Sequence, residues 1–213
     1  MDGEPRRALP PDLARLLHDL RGPLNSVTMH LEVLKRSAMD DRAVDETLRV
    51  ALQQIARLSE MVPAALEVVA LEVQATAPVD LRALAVRAAA RHAAVPVEGP
   101  WPRVVGDERL LDLALDHLLR NAVEASIAAG AARAPEVAAA IDGPTVVVTV
   151  RDWGIGLRTT NPKLLVRLMG TTKAGHRGLG LVTAERVARL HGGSLRFQAA
   201  PDGAAVSLVL PLR

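Results

Sequence analysis

Apolar residues fall at Leu13, Leu17, Leu20, Leu24, Val27, Leu31 and Leu34, in alternating steps of four and three. That spacing draws a single stripe along an amphipathic helix. Pro10-Pro11-Asp12 marks its start, and the stripe stops near Ser37. A second stripe runs Val44, Leu48, Ala51, Ile55, Leu58, Val62, Ala65 and Val69. Asp40 and Asp41 supply it with a cap and acidic first-turn charge. The short loop between the stripes predicts two antiparallel neighbours. Leu16, Leu52, Met61 and Leu66 widen the apolar surface beyond a two-helix seam. Pairing two hairpins into a four-helix bundle would cover it, so residues 9–75 are expected to form a homodimer. Pro23 and Pro63 fall inside the helices, where each removes a backbone hydrogen bond and is expected to kink or loosen its helix.

The pattern changes around Ala75-Thr76-Ala77-Pro78, which sets an expected boundary between domains at 1–76 and 77–213. Beyond it, Leu81 to His92 and Asp107 to Ala129 read as helices, and Val104-Val105 as a short strand. Gly130 to Ala140 is Ala-rich and has no clear period. Thr145 to Arg151 is a β-branched run and a strong strand signal. Thr183 to His191 reads as a helix stopped by Gly192-Gly193. Leu195 to Ala199 and Ala205 to Leu210 read as strands around the hairpin signal Pro201-Asp202-Gly203. Helices segregated from antiparallel strands make an α+β fold.

Composition narrows the chemistry. In 213 residues there are one Phe, two Trp and no Tyr, so the core must come from Leu, Val, Ile and Ala. With no Cys, disulfides and thiolate metal sites are excluded. A formal charge of +2 gives no argument for nucleic acid. No apolar run is long enough to span a bilayer, and Met1 to Arg7 lacks the apolar stretch of a secretion signal, so the expectation is a cytoplasmic protein without membrane insertion. Its signal would then arrive through an upstream sensor or ligand.

Four segments carry candidate chemistry. His18 sits at the edge of the first stripe, where a neutral imidazole is a good nucleophile. Asp19 could take the other ring hydrogen, and Arg21 could meet an incoming phosphate. Alone, the trio also fits an ordinary helix surface. Asn121 offers an amide oxygen, a hard ligand suited to Mg²⁺, or equally a partner for backbone. Asp152-Trp153-Gly154-Ile155-Gly156 follows the strong strand; the carboxylate can accept from an adenine amino group, and the glycines permit close approach, though the same residues make a tight turn. Thr171 to Leu181 places glycines at 175, 178 and 180 ahead of a helix, leaving backbone amides to cradle phosphates or simply to cap that helix. Lys173 and Arg177 add mobile charge. Neither a Walker loop nor a dinucleotide-binding glycine fingerprint occurs.

In this order the segments resemble the boxes of two-component sensor histidine kinases. His18 to Leu24 is similar to the phosphoacceptor box, His117 to Ala122 to the N box, and Asp152 to Gly156 to the first glycine box. Thr171-Thr172-Lys173 with Gly178-Leu179-Gly180-Leu181 resembles the lid segment and second glycine box, and His191-Gly192-Gly193 the end of the ATP-binding domain. The resemblance implies a two-layer α/β sandwich of the Bergerat type, shared with gyrase, the Hsp90 chaperones and MutL. It implies ATP and Mg²⁺ as cofactors, and a phosphoryl group that moves from ATP to His18 and on to an aspartate of a response-regulator receiver domain. His18 would take the phosphoryl group, Asp19 would orient or deprotonate it, and Asn121 would bind Mg²⁺. Asp152 would recognise adenine; Gly154, Gly156, Gly178, Leu179 and Gly180 would shape the pocket and lid; and Thr172 and Lys173 would lie near phosphate.

The chain departs from that pattern at several places. Gly22 stands where relatives often carry Thr or Asn, which implies weak phosphatase action. His117 stands at the earlier N-box position, often Asn, and Glu124 where many relatives carry a cation, leaving Arg120, Lys173 or Arg177 to meet the phosphates. His176 replaces a glycine, and Trp153 is bulky enough either to cover a nucleotide or to pack. Two other readings use the same residues: a phosphotransfer adaptor with a decayed nucleotide pocket, against which stand Asn121, Asp152 and the intact Gly-Leu-Gly-Leu, and an ATP-driven clamp or serine kinase, against which stands the hairpin with His18.

Overall fold

The two long apolar stripes form the two long helices. A computed structural model describes residues 11–36, 41–92, 97–157, 159, 161–166 and 178–212. These fall into two compact units, residues 11–70 and 71–212. In the first, α1 (Pro11–Arg36) and α2 (Asp41–Val69) pack along one another. Residues 37–40 join them. So short a link spans at most about 18 Å, too little to return along a helix of nearly 40 Å, so the pair is antiparallel. Both helices continue through their prolines, Pro23 and Pro63. Each proline leaves the carbonyl four residues earlier without its helical donor.

The second unit is an α/β sandwich. Its elements are β1 (Ala77–Asp80), α3 (Leu81–Arg91), β2 (Val97–Glu98), β3 (Arg103–Gly106), α4 (Glu108–Ala128), β4 (Glu136–Asp142), β5 (Thr145–Asp152), α5 (Pro162–Leu165), α6 (Gly180–Leu190), β6 (Ser194–Ala200) and β7 (Gly203–Pro211). Five strands lie in the order β2-β4-β5-β7-β6, all antiparallel except β2 with β4, and β1 pairs with β3 in a separate ribbon. One face of the sheet, with Val137, Val146, Val148, Val150, Leu208 and Leu210, shares a single core with Leu84, Leu111, Leu115, Leu119 and Val187 of the helices. Alternation along β5 puts Val146, Val148 and Val150 into that core, as the two-residue period of a strand requires. The expected α+β sandwich is therefore what the chain forms.

The structure corrects the sequence reading at four points. The Ala-rich stretch 130–140 contributes most of β4, whose alanines pair with Thr149, Val148 and Val147 of β5. Alanine is a poor strand former, and a central place in the sheet overrides that preference. The short strands β1 and β2 carried too few residues to show a period. Helix α6 begins at Gly180, ahead of the Thr183 start read from the apolar spacing. Residues 71–76 are stitched to the sandwich: the Gln74 amide donates to Asp107 at 3.0 Å and Arg109 to the Glu72 carbonyl at 3.2 Å. The division between the units thus falls before the compositional shift at Ala75. No helix among the described residues is long and apolar enough to cross a membrane.

Candidate functional site: a cradle on helix α4

Helix α4 is the organising element of the sandwich site. Asp107 caps it, accepting from the Leu110 amide at 3.2 Å and from Gln74. Burial raises the pKa of that carboxyl, but the amides of Gln74 and Leu110 and the Arg109 charge outweigh it and hold the group below the usual aspartate range. The Asp107 amide donates in turn to His191 Nε2 at 2.9 Å, while His191 Nδ1 lies 2.8 Å from the Val187 carbonyl. An amide donor on Nε2 and a carbonyl acceptor on Nδ1 require a neutral ring with its proton on Nδ1. The buried face of α4 runs through Leu111, Leu115, Leu118, Leu119 and Ala122. His117 and Asn121, four residues apart, therefore share an adjacent, partly exposed face.

The second glycine segment meets that face. A Cβ on Gly180 would lie 3.3 Å from Asn121 Nδ2 and 3.5 Å from His117 Nδ1, so glycine lets the start of α6 come down onto both side chains. Gly178 holds φ at +62°, a value that favours glycine. Leu179 sits at the N-cap and has no polar side chain with which to cap α6. Its first-turn amides therefore depend on other partners, the condition that makes a helix start an anion site. Arg120 lies 2.6 Å from His117 Nδ1. Burial, then the Arg120 charge, lowers the His117 pKa, with Asp116 opposing.

The first glycine segment meets α4 one turn further on. The Trp153 amide donates to Ser126 Oγ at 3.0 Å, and a Cβ on Gly154 would fall 2.9 Å from the Ala125 Cβ. Asp152 Oδ1 accepts from the amides of Gly154 (2.9 Å) and Ala204 (3.2 Å), which fixes the carboxylate at the end of β5. Gly203, at φ +138°, packs so closely that a Cβ would lie 2.0 Å from the Asp152 carbonyl oxygen. Gly156 is also at positive φ, +79°. Trp153 packs rather than covers: its Nε1 donates to the Ala134 carbonyl at 2.9 Å, and Arg133 and Arg151 stack on the ring at 3.7 and 4.2 Å.

Asn121, Asp152, Gly154, Gly156, Gly178, Leu179 and Gly180 are thus all in or beside the segments that converge on α4. Thr172 and Lys173, with Thr171, His176 and Arg177, lie outside the described residues. In the hairpin, His18, Arg21 and Gly22 are exposed and Asp19 is buried. Sequence reasoning missed Ser126 and the His117–Arg120 contact. Ser126 carried a signal, a polar residue in register with the buried stripe of α4; the contact carried none.

Residues 106–213, which contain α4 and both glycine segments, match the histidine kinase-, DNA gyrase B- and HSP90-like ATPases. The chain belongs to this ATPase family. Among curated relatives, it is similar to the sensor histidine kinase MtrB of Mycobacterium tuberculosis, 29% identical across 92% of this chain and 38% of that protein. It is also similar to the sensor-like histidine kinase SenX3 of Mycobacterium bovis, 28% identical across 93% of this chain and 53% of the relative. The chain thus spans between about a third and a half of the curated relatives it matches. Among solved structures, full-length ShkA in complex with AMPPNP shares the fold at 24% identity and a TM-score of 0.57, covering 96% of this chain and 46% of that one. The mycobacterial sensor histidine kinase MprB is 27% identical, with a TM-score of 0.55 over 65% of this chain and 99% of its own.

Proposed function

We propose that this chain is an ATP-dependent protein-histidine kinase that phosphorylates its own His18 and passes the phosphoryl group to an aspartate of a response-regulator receiver domain. The observation that carries the reading is the convergence on α4 of an amide (Asn121), an uncapped helix start (α6) and a carboxylate turn (Asp152). This arrangement suits a nucleotide, with phosphates towards Asn121 and α6 and adenine towards Asp152. An ionised carboxylate only accepts hydrogen bonds, which is what an adenine amino group needs of Asp152. Mg²⁺ fits the same place: the Asn121 amide, whose nitrogen lies beside Gly180, carries a hard oxygen ligand that would hold it. When bound with ATP it would neutralise phosphate charge.

The remaining work falls to the chain. Asp152 and the glycine turns orient the base, and the first-turn amides of α6 stabilise phosphate charge. Thr172 and Lys173 are assigned near phosphate from their place in the lid segment. Exposed His18 is the acceptor, with Asp19 to orient or deprotonate it and Arg21 to meet the phosphate. Among the described residues, ten large apolar side chains of the hairpin, Leu24, Leu31, Leu52 and Leu66 among them, are exposed in the single chain. A second hairpin would cover them, which supports a homodimer through the helical unit. That similar proteins are sensor histidine kinases supports the kinase reading; a cytoplasmic place for this part of the protein belongs to the same proposal.

Incubation with labelled ATP and Mg²⁺ tests the proposal. An autokinase gains acid-labile, alkali-stable phosphate that is absent from His18→Gln. A chain that gains none without a phosphorylated donor is an adaptor, and one that releases free phosphate while His18 stays unlabelled is a clamp. Either result refutes the proposal.

A further inference from the structure

Arg120 sits immediately before Asn121 on α4, and one of its terminal nitrogens lies 2.6 Å from Nδ1 of His117. A guanidinium only donates, so the imidazole accepts. His117 must then be neutral with its own proton on Nε2. The contact is not a surface accident of two long side chains. His117 is partly buried, and its Nδ1 would lie 3.5 Å from a Cβ on Gly180, so the ring is lodged between α4 and the start of α6. Lodged there, it holds one arm of an otherwise exposed arginine. A guanidinium has five N–H donors in a planar fork, and only one goes to His117.

Position along α4 says what the fork is for. Residues four apart on a helix are about 6 Å apart along its axis. His117, Asn121 and Ala125 therefore mark successive turns of one face. The Asp152 turn meets α4 at Ala125 and Ser126, and the helix start of α6 meets it at His117 and Asn121. A nucleotide with its base at the first contact carries its phosphates to the second, where Arg120 is held. Three residues after Asn121 stands Glu124, whose charge has the wrong sign to help.

We infer that Arg120 is the α4 cation that binds the nucleotide's phosphates, and that His117 is a positioning residue that holds its guanidinium beside Asn121 and α6. The inference rests on the nucleotide reading of the site. It assigns no direct phosphate contact to His117.

Calorimetric titration of the full chain with ATP, ADP and adenosine, in the presence of Mg²⁺, separates the roles. Arg120→Ala should weaken ATP binding by about ten-fold or more, the value of a charge-assisted hydrogen bond. ADP should lose less, and adenosine nothing. His117→Ala should lose several-fold for ATP in the wild-type background and nothing further in Arg120→Ala. His117→Asn, whose amide oxygen can accept from Arg120, should restore most of the loss. Unchanged ATP affinity in Arg120→Ala overturns the inference. So do equal losses for adenosine and ATP, or a His117→Ala loss that persists without Arg120. Should the wild-type chain take up no nucleotide at all, the reading of the site fails and this inference falls with it. ATP uptake that ignores Arg120 sinks the inference alone.

Discussion

Truncating Asp107 to Ala tests whether α4 is held as its contacts imply. The residue is 5% exposed, and its side chain accepts from two amides, Leu110 at 3.2 Å and Gln74 at 3.0 Å. Losing an N-cap costs about 1 kcal/mol. Leaving the Gln74 amide without its acceptor costs about 1 kcal/mol more. The ion pair with Arg109, at 3.6 Å and half exposed, adds little. The sum, about 2 kcal/mol, should lower the midpoint of a domain this size by roughly 8 °C. Both tryptophans, Trp101 and Trp153, lie in the sandwich, so tryptophan fluorescence follows this unit without interference from the hairpin. The pH dependence has a definite sign. The Asp107 carboxyl titrates below its ordinary value when folded, so its stabilisation is complete above about pH 4 and is lost as pH falls through the folded-state value. The gap between wild type and Asp107→Ala should therefore narrow in acid. A midpoint unchanged within a degree at pH 7, or a gap that stays constant down to pH 2, would refute the account.

Gly22 lies exposed within α1, and a Cβ there would meet nothing within 4 Å, so Gly22→Ala should stabilise the hairpin by about 1 kcal/mol in helix-detected chemical denaturation. His191→Ala removes the acceptor of the Asp107 amide and should cost about 1–3 kcal/mol in the tryptophan-detected midpoint, with a loss below half a kcal/mol contradicting the role given to the ring. Gly180→Val should leave the sandwich folded by circular dichroism but lower ATP affinity about ten-fold or more, because its branched side chain must displace Asn121 and His117, which already crowd a bare Cβ at 3.3 and 3.5 Å. Wild-type affinity in that variant would mean that α6 does not meet the nucleotide where its start meets α4.

What could be read from the chain and what could not divide along physical lines. The long helices were legible because each buries one stripe, and a stripe repeated over seven or eight positions is hard to mistake. Strand β5 was legible because a run of β-branched residues fills it. Strand β4 was not, because three successive alanines have no local preference for extension and take it from the β-branched residues opposite. The start of α6 was misplaced because Gly180, a poor helix former, interrupts the helical signal ahead of Leu181. The site residues were visible as segments in the right order. Their meeting on α4 was not, since it depends on how close two backbones come. Nothing in the spacing of His117 and Arg120 distinguishes a lodged imidazole from one on an open surface.

That closeness explains why the site is built from glycine more than from its chemically active side chains. Three approaches define it: Gly154 against Ala125, Gly180 against Asn121 and His117, and Gly203 against the Asp152 carbonyl. At each one a methyl group would stand at 3.3 Å or less from a neighbour, and at Gly203 the backbone is also at φ +138°. Asp152 is fixed by amides of Gly154 and Ala204, which flank two of these contacts. A side chain added at any of them would move the carboxylate or the helix start before it touched a ligand. The polar groups supply the charge and the hydrogen bonds, but their separation is set by backbones packed against α4. A mutation that leaves Asn121 and Asp152 untouched can therefore disable the site as fully as one that removes them.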